Sequence, residues 1–151
     1  MSKQAEADLI LKLYDLRRET VMREARNWFF MFNPKTTDDI LEVLTTDKSG
    51  HYRMVISYWD MAGSLVNNGA IDAQMFNDAN GEHIFVYAKM EPFIPKLREV
   101  MGAPQFLAHL EKTVKALPDS EARLDAVRAR IQQLIAKFQE RAAAQAAAAT
   151  N

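Results

Sequence analysis

Apolar residues along this chain recur in steps of three and four, a spacing that predicts helix almost throughout. Tyr14, Val21, Ala25, Trp28 and Phe32 share one face, which predicts a first long helix over about residues 4–32. Asn33-Pro34 closes it, because the residue before a proline is driven out of the α region. Thr37 is placed to cap a short second helix, with Asp38 and Asp39 in its first turn and Ile40, Leu41, Val43 and Leu44 as its apolar positions. A third helix, about 50–68, carries Tyr52, Val55, Ile56, Trp59, Ala62 and Val66 on one face. Met54, Tyr58, Met61 and Leu65 cover much of the other, so this helix is expected at the centre. Gly63 would let another helix pack closely, and Gly69 supplies a left-handed terminator.

Asp72 then caps a short helix with Met75 and Phe76 facing inward, and Asn80-Gly81 breaks it. The window His83–Met90 clusters Ile84, Phe85, Val86 and Tyr87, and here alone a strand competes. A buried helix is preferred, since no partner strand exists elsewhere. Pro92 and Pro95 kink the chain before a helix over 93–101, which Gly102 ends. Pro104, at a first-turn position, starts the next, with Leu107, Leu110, Val114 and Leu117 as its stripe. The last helix begins near Ser120, where Leu124, Val127, Ile131, Leu134 and Phe138 form a short heptad seam. A parallel self-pair would set Arg123 against Arg128, so the seam is expected to pack on the chain's own first helix, or antiparallel on a partner. The fold class that follows is all-α, an irregular helical bundle with long N- and C-terminal helices and several short helices between. The first, third and last helices are its expected frame. A single domain spans 1–141, and the Ala-rich tail 142–151 is expected to fray.

The run Tyr58-Trp59-Asp60-Met61-Ala62-Gly63-Ser64-Leu65-Val66-Asn67-Asn68-Gly69-Ala70-Ile71-Asp72 is an aromatic-rich helix, a glycine stop and an Ile-Asp opening of the next helix. It resembles an uncharacterised family of small all-helical bacterial proteins, known as a domain of unknown function. The resemblance implies an all-helical bacterial protein and carries over no functional residue.

Composition narrows the chemistry. At 151 residues the chain has the length of one domain, and 48% hydrophobic with 26% charged residues is an ordinary globular balance. A formal net charge of -1 removes the electrostatic case for nucleic acid. The absence of cysteine excludes disulfides, thiolate metal sites and a cysteine nucleophile. Met1 to Glu6 lack the apolar core of a signal peptide, and Trp28–Phe32 is too short to cross a bilayer, so a soluble, cytoplasmic protein is expected. His51, His83 and His109 have no glutamate three residues before them and are read as isolated surface or cap histidines. No metal and no cofactor is expected. Nucleotide-binding glycine motifs and a hydrolase elbow are absent, so an enzyme is not favoured.

Three groups of residues remain as candidates. Arg53, Ser57, Asp60 and Ser64 form a polar stripe on the third helix. With Asp60 or Arg53 as anchor and Tyr58, Trp59, Met61 and Phe85 as lining, the stripe would serve a small-molecule pocket. A structural polar network is the preferred reading of the same residues. Trp28 to Phe32, following Arg17, Arg18, Arg23 and Arg26, would suit a membrane interface, against which core packing is preferred. The leading expectation is a non-enzymatic interaction or oligomerisation protein. It would act through the first and last helices, with Leu124, Val127, Ile131, Leu134 and Phe138 facing a protein partner or a second copy.

Overall fold

The computed structural model describes residues 2–150, and in them the chain is all α-helical. In order run α1 (Lys3–Arg17), α2 (Thr20–Met31), α3 (Thr37–Val43), α4 (Ser49–Asn67), α5 (Ala73–Ala79), α6 (Glu82–Met90), α7 (Ile94–Met101), α8 (Ala108–Lys115) and α9 (Ser120–Ala149). A 3₁₀ turn, Glu91–Phe93, joins α6 to α7. The window around Phe85 is helix, as its burial demanded.

The expected helix over 4–32 is two helices. Arg18 ends α1, and the Glu19 carboxylate accepts from the Met22 amide at 2.9 Å, capping α2. The break also separates the residues that looked like one face. Of that set, Ala25 is buried and Trp28 and Phe32 half-buried, whereas Tyr14 on α1 and Val21 on α2 are exposed. Two starts also move. Thr36, not Thr37, caps α3, in a reciprocal capping box with Asp39. Pro104 lies in turns, and α8 begins only at Ala108.

The expected frame changes accordingly. α4 is the central helix, packed between α2 and α8 with Tyr52, Val55, Ile56, Trp59 and Ala62 buried. Gly63 is the point of closest approach to α8: a Cβ there would stand 3.0 Å from the His109 carbonyl oxygen. α9 packs mainly on α6 rather than on the first helix, burying Leu124, Ile131 and Ile135. From Ala136 onward every described residue is exposed, although the helix runs on to Ala149. α1 is attached lightly, through Ile10, Leu13 and the Tyr58 hydroxyl, which donates to the Leu13 carbonyl.

Candidate functional site

The polar stripe of α4 does not gather into a site. Arg53 and Ser57 are exposed; Arg53 Nε donates to Ser49 Oγ at 3.3 Å, and the Ser57 and Ser64 hydroxyls donate to carbonyls of their own helix. Asp60 alone reaches another element. Its Oδ1 accepts from the Leu110 amide at 2.9 Å, in the first turn of α8. The residue at the local cap position, Leu107, has a left-handed backbone (φ 55°) and no side-chain oxygen, so Asp60 caps α8 from across the helix interface. A shallow cleft of about 430 Å³ lies beside it, with Arg53 and Phe106 at its edge. The aromatic lining imagined for that anchor is dispersed. Tyr58 and Trp59 pack edge to face at 4.9 Å, Met61 is exposed, and Phe85 stacks on Phe30 at 5.4 Å. Burial pushes the Tyr58 hydroxyl up to about 12.

Two buried groups in α6 escaped the sequence reading. His83 is fully buried against Trp59 and Phe76, not a surface or cap residue. Asn77 Nδ2 donates to Ala73, which leaves Asn77 Oδ1 to accept from His83 Nε2 at 2.8 Å. His83 Nδ1 has no partner among the described residues, and burial lowers the imidazole to about 4. Lys89 is buried as well. Its ammonium donates to the Phe29, Phe30 and Phe32 carbonyls at 2.7, 2.8 and 2.5 Å, closing the C-terminal end of α2. Burial lowers it to about 7, while those carbonyls and the Phe29 and Phe85 ring faces favour the charged form. The signal was present in the sequence: a lysine inside the apolar run Ile84–Met90.

A charged cluster holds α9 in place. Glu91 accepts from Arg128, from Lys115 at 3.2 Å and from the Tyr87 hydroxyl at 3.0 Å. Burial raises the Glu91 pKa, but these donors outweigh it and bring the carboxyl below its ordinary range. Arg128 Nε also donates to the Ala88 carbonyl. Arg128 is thereby committed within the chain, and the α9 seam is split. Leu124 and Ile131 are core, Val127 and Leu134 are half-buried, and Phe138 is 45% exposed at the edge of Phe30.

A second cluster borders an open groove. Glu82, at the start of α6, receives Arg26 of α2 on both oxygens at 3.0 Å, and Trp59 Nε1 donates to its Oε2 at 3.1 Å. Arg17 lies over the Trp59 ring, 5.4 Å from its centre. Beyond this cluster, α2, α6 and α9 enclose a groove of about 420 Å³ whose rim includes Arg130.

Exposed apolar side chains collect on α1. Leu11 is 63% and Tyr14 50% exposed, and Asp8, Lys12, Asp15 and Arg18 share their surface. Of the Trp28–Phe32 cluster, Phe29 is buried, Trp28 stacks on Phe32 at 4.8 Å, and Met31 is exposed. Among the described residues, no group of three or more histidine or carboxylate side chains could hold a metal ion, and no helix is long and apolar enough to cross a membrane.

Comparison with known proteins adds one finding. The model of a family described as a domain of unknown function, DUF4760, matches residues 4–117. No curated protein and no solved structure gave a match.

Proposed function

We propose that this chain, which belongs to the DUF4760 family, is a non-enzymatic interaction module that pairs with a second copy of itself through the outer face of α1. One observation carries the reading. α1 turns Leu11 and Tyr14 to solvent between charges of both signs, while Ile10 and Leu13 on the adjacent stripe hold it to the body. The apolar surface of α1 is thus wider than the part that the body covers.

The spacing of charges favours a second copy in the antiparallel sense. Laid antiparallel about a two-fold axis near Leu13, Leu11 of one copy meets Tyr14 of the other. Asp8 then comes alongside Arg18, and Lys12 alongside Asp15. A parallel arrangement sets each of these charges against its like. Of the first and last helices expected to act together, this keeps the first and leaves out the last, whose best apolar residues serve the chain's own core.

Light-scattering mass decides the matter. The wild type is expected to be a dimer, and Leu11→Asp a monomer that keeps the helical circular-dichroism spectrum and cooperative unfolding, because Leu11 contributes little to the core. A monomeric wild type at high protein concentration, or a dimer that survives both Leu11→Asp and Tyr14→Asp, would overturn the reading.

A further inference from the structure

The groove between α2, α6 and α9 has a size, a lining and a charge that are independent of any pairing through α1. Its volume, about 420 Å³, lies in the usual range of small-ligand sites. Its apolar wall is the stacked pair Phe30 and Phe85, ring planes within 4° of each other. Arg26 and Glu82, one turn along the same two helices, form a closed ion pair beside it, the Glu82 oxygens fully engaged by Arg26 and Trp59. Arg130, reaching the rim from α9, has no carboxylate partner among the described residues. The groove therefore presents one uncompensated positive charge, a nearby Asn27 amide and the apolar pair Phe30 and Phe85.

We infer that this groove binds a small organic monoanion with a flat apolar body, the anionic head on Arg130 and Asn27 and the body against Phe30 and Phe85. A single carboxylate matches both the free charge and the planar fork of a guanidinium. A dianion such as a phosphate monoester would leave its second charge without a partner, because Arg130 is the groove's single uncompensated cation. A neutral ligand would leave the Arg130 guanidinium without a counter-charge.

The test uses the full-length protein, 2-naphthoate as probe, and 2-naphthalenemethanol as its neutral counterpart, followed by ligand-observed NMR or calorimetry. The acid is expected to bind about tenfold or more tightly than the alcohol, the difference made by one charge-assisted hydrogen bond. Arg130→Gln should reduce the acid to the level of the alcohol. Asn27→Trp, which places a ring in the groove from an exposed position of α2, should abolish binding of both. Arg53→Gln, at the separate cleft beside Asp60, should leave the affinity unchanged. Circular dichroism and melting confirm that each variant is folded. Absence of binding to the wild type at millimolar probe, equal affinity for acid and alcohol, or binding that survives both Arg130→Gln and Asn27→Trp would overturn the inference. Loss of binding on Arg53→Gln alone would overturn it too, by placing the ligand at the other cleft.

Discussion

His83 and Lys89 sit on the same short helix, and their surroundings treat protons in opposite ways. Lys89 meets three carbonyl oxygens at the end of α2, which welcome a cation. His83 meets the rings of Trp59 and Phe76 and one amide oxygen, with no acceptor for a second proton. Its folded pKa of about 4 lies below the ordinary 6.5, so between those values the unfolded chain binds more protons than the folded one. The stability contributed by neutral His83 is full above about pH 6.5 and is lost as the pH falls toward about 4, by up to about 3 kcal/mol. His83→Phe keeps the packing and removes the titration. Denaturant midpoints measured across pH 4–7 should therefore fall less steeply for the variant than for the wild type. Parallel curves would mean that His83 does not titrate in this window. Helical spacing did not reveal either residue as a buried polar group, because it gives the side of a helix but not whether that side is covered. The lysine amid apolar neighbours was the better clue of the two.

At the scale of elements, the local signals that predicted helix ends were reliable where both partners lie within one turn. Asp72 caps α5 through the Met75 amide at 2.9 Å, and Gly69 takes the left-handed backbone (φ 80°) after α4. They failed where the cap comes from elsewhere. Pro104 suggested a start for α8, but no residue there supplies a side-chain oxygen, and the helix begins where Asp60 can reach it. Asp60→Ala should destabilise the protein by about 1 kcal/mol, the usual value of a lost cap. Asp60→Asn should cost only a small part of that, because its amide oxygen still accepts from Leu110. Thermal melts of the two variants provide the check. An Asn variant as damaged as the Ala variant would assign Asp60 a role for its charge instead. The same interface explains Gly63: the close approach foreseen from a glycine between small residues is the crossing of α4 and α8, with the His109 carbonyl where a side chain would stand.

For the whole molecule, the question left by the heptad seam is whether α9 belongs to the fold or to an assembly. Leu124, Ile131 and Ile135 are buried against the body, and Arg128 is tied to Glu91 and to the Ala88 carbonyl. A chain cut after Pro118 should therefore lose cooperative unfolding, since it removes Leu124, Ile131 and Ile135 from the core and uncovers the side of α6 on which α9 packs. A chain cut after Arg141 should melt like the full length, because every described residue beyond it is solvent-exposed. Circular dichroism melts with light-scattering masses distinguish the outcomes. A folded fragment ending at Pro118 would show that α9 is dispensable to the core, and would return the search for a partner to the α9 seam. The DUF4760 match stops at residue 117, so in this chain the core and the groove at Arg130 are both completed by a helix outside the matched segment.

The sequence by itself determined the helical class, the positions of most helices, the central place of α4, and the glycine at its closest crossing. Each of these follows from the spacing of apolar residues or from backbone preferences that act within a few residues. The tertiary structure alone decided the break between α1 and α2, the cap that Asp60 lends to α8, the burial of His83 and Lys89, and the partner of α9. Those depend on which faces meet in space, and a three-to-four spacing is the same whether the face it marks is covered by the chain itself, by a second copy, or by nothing.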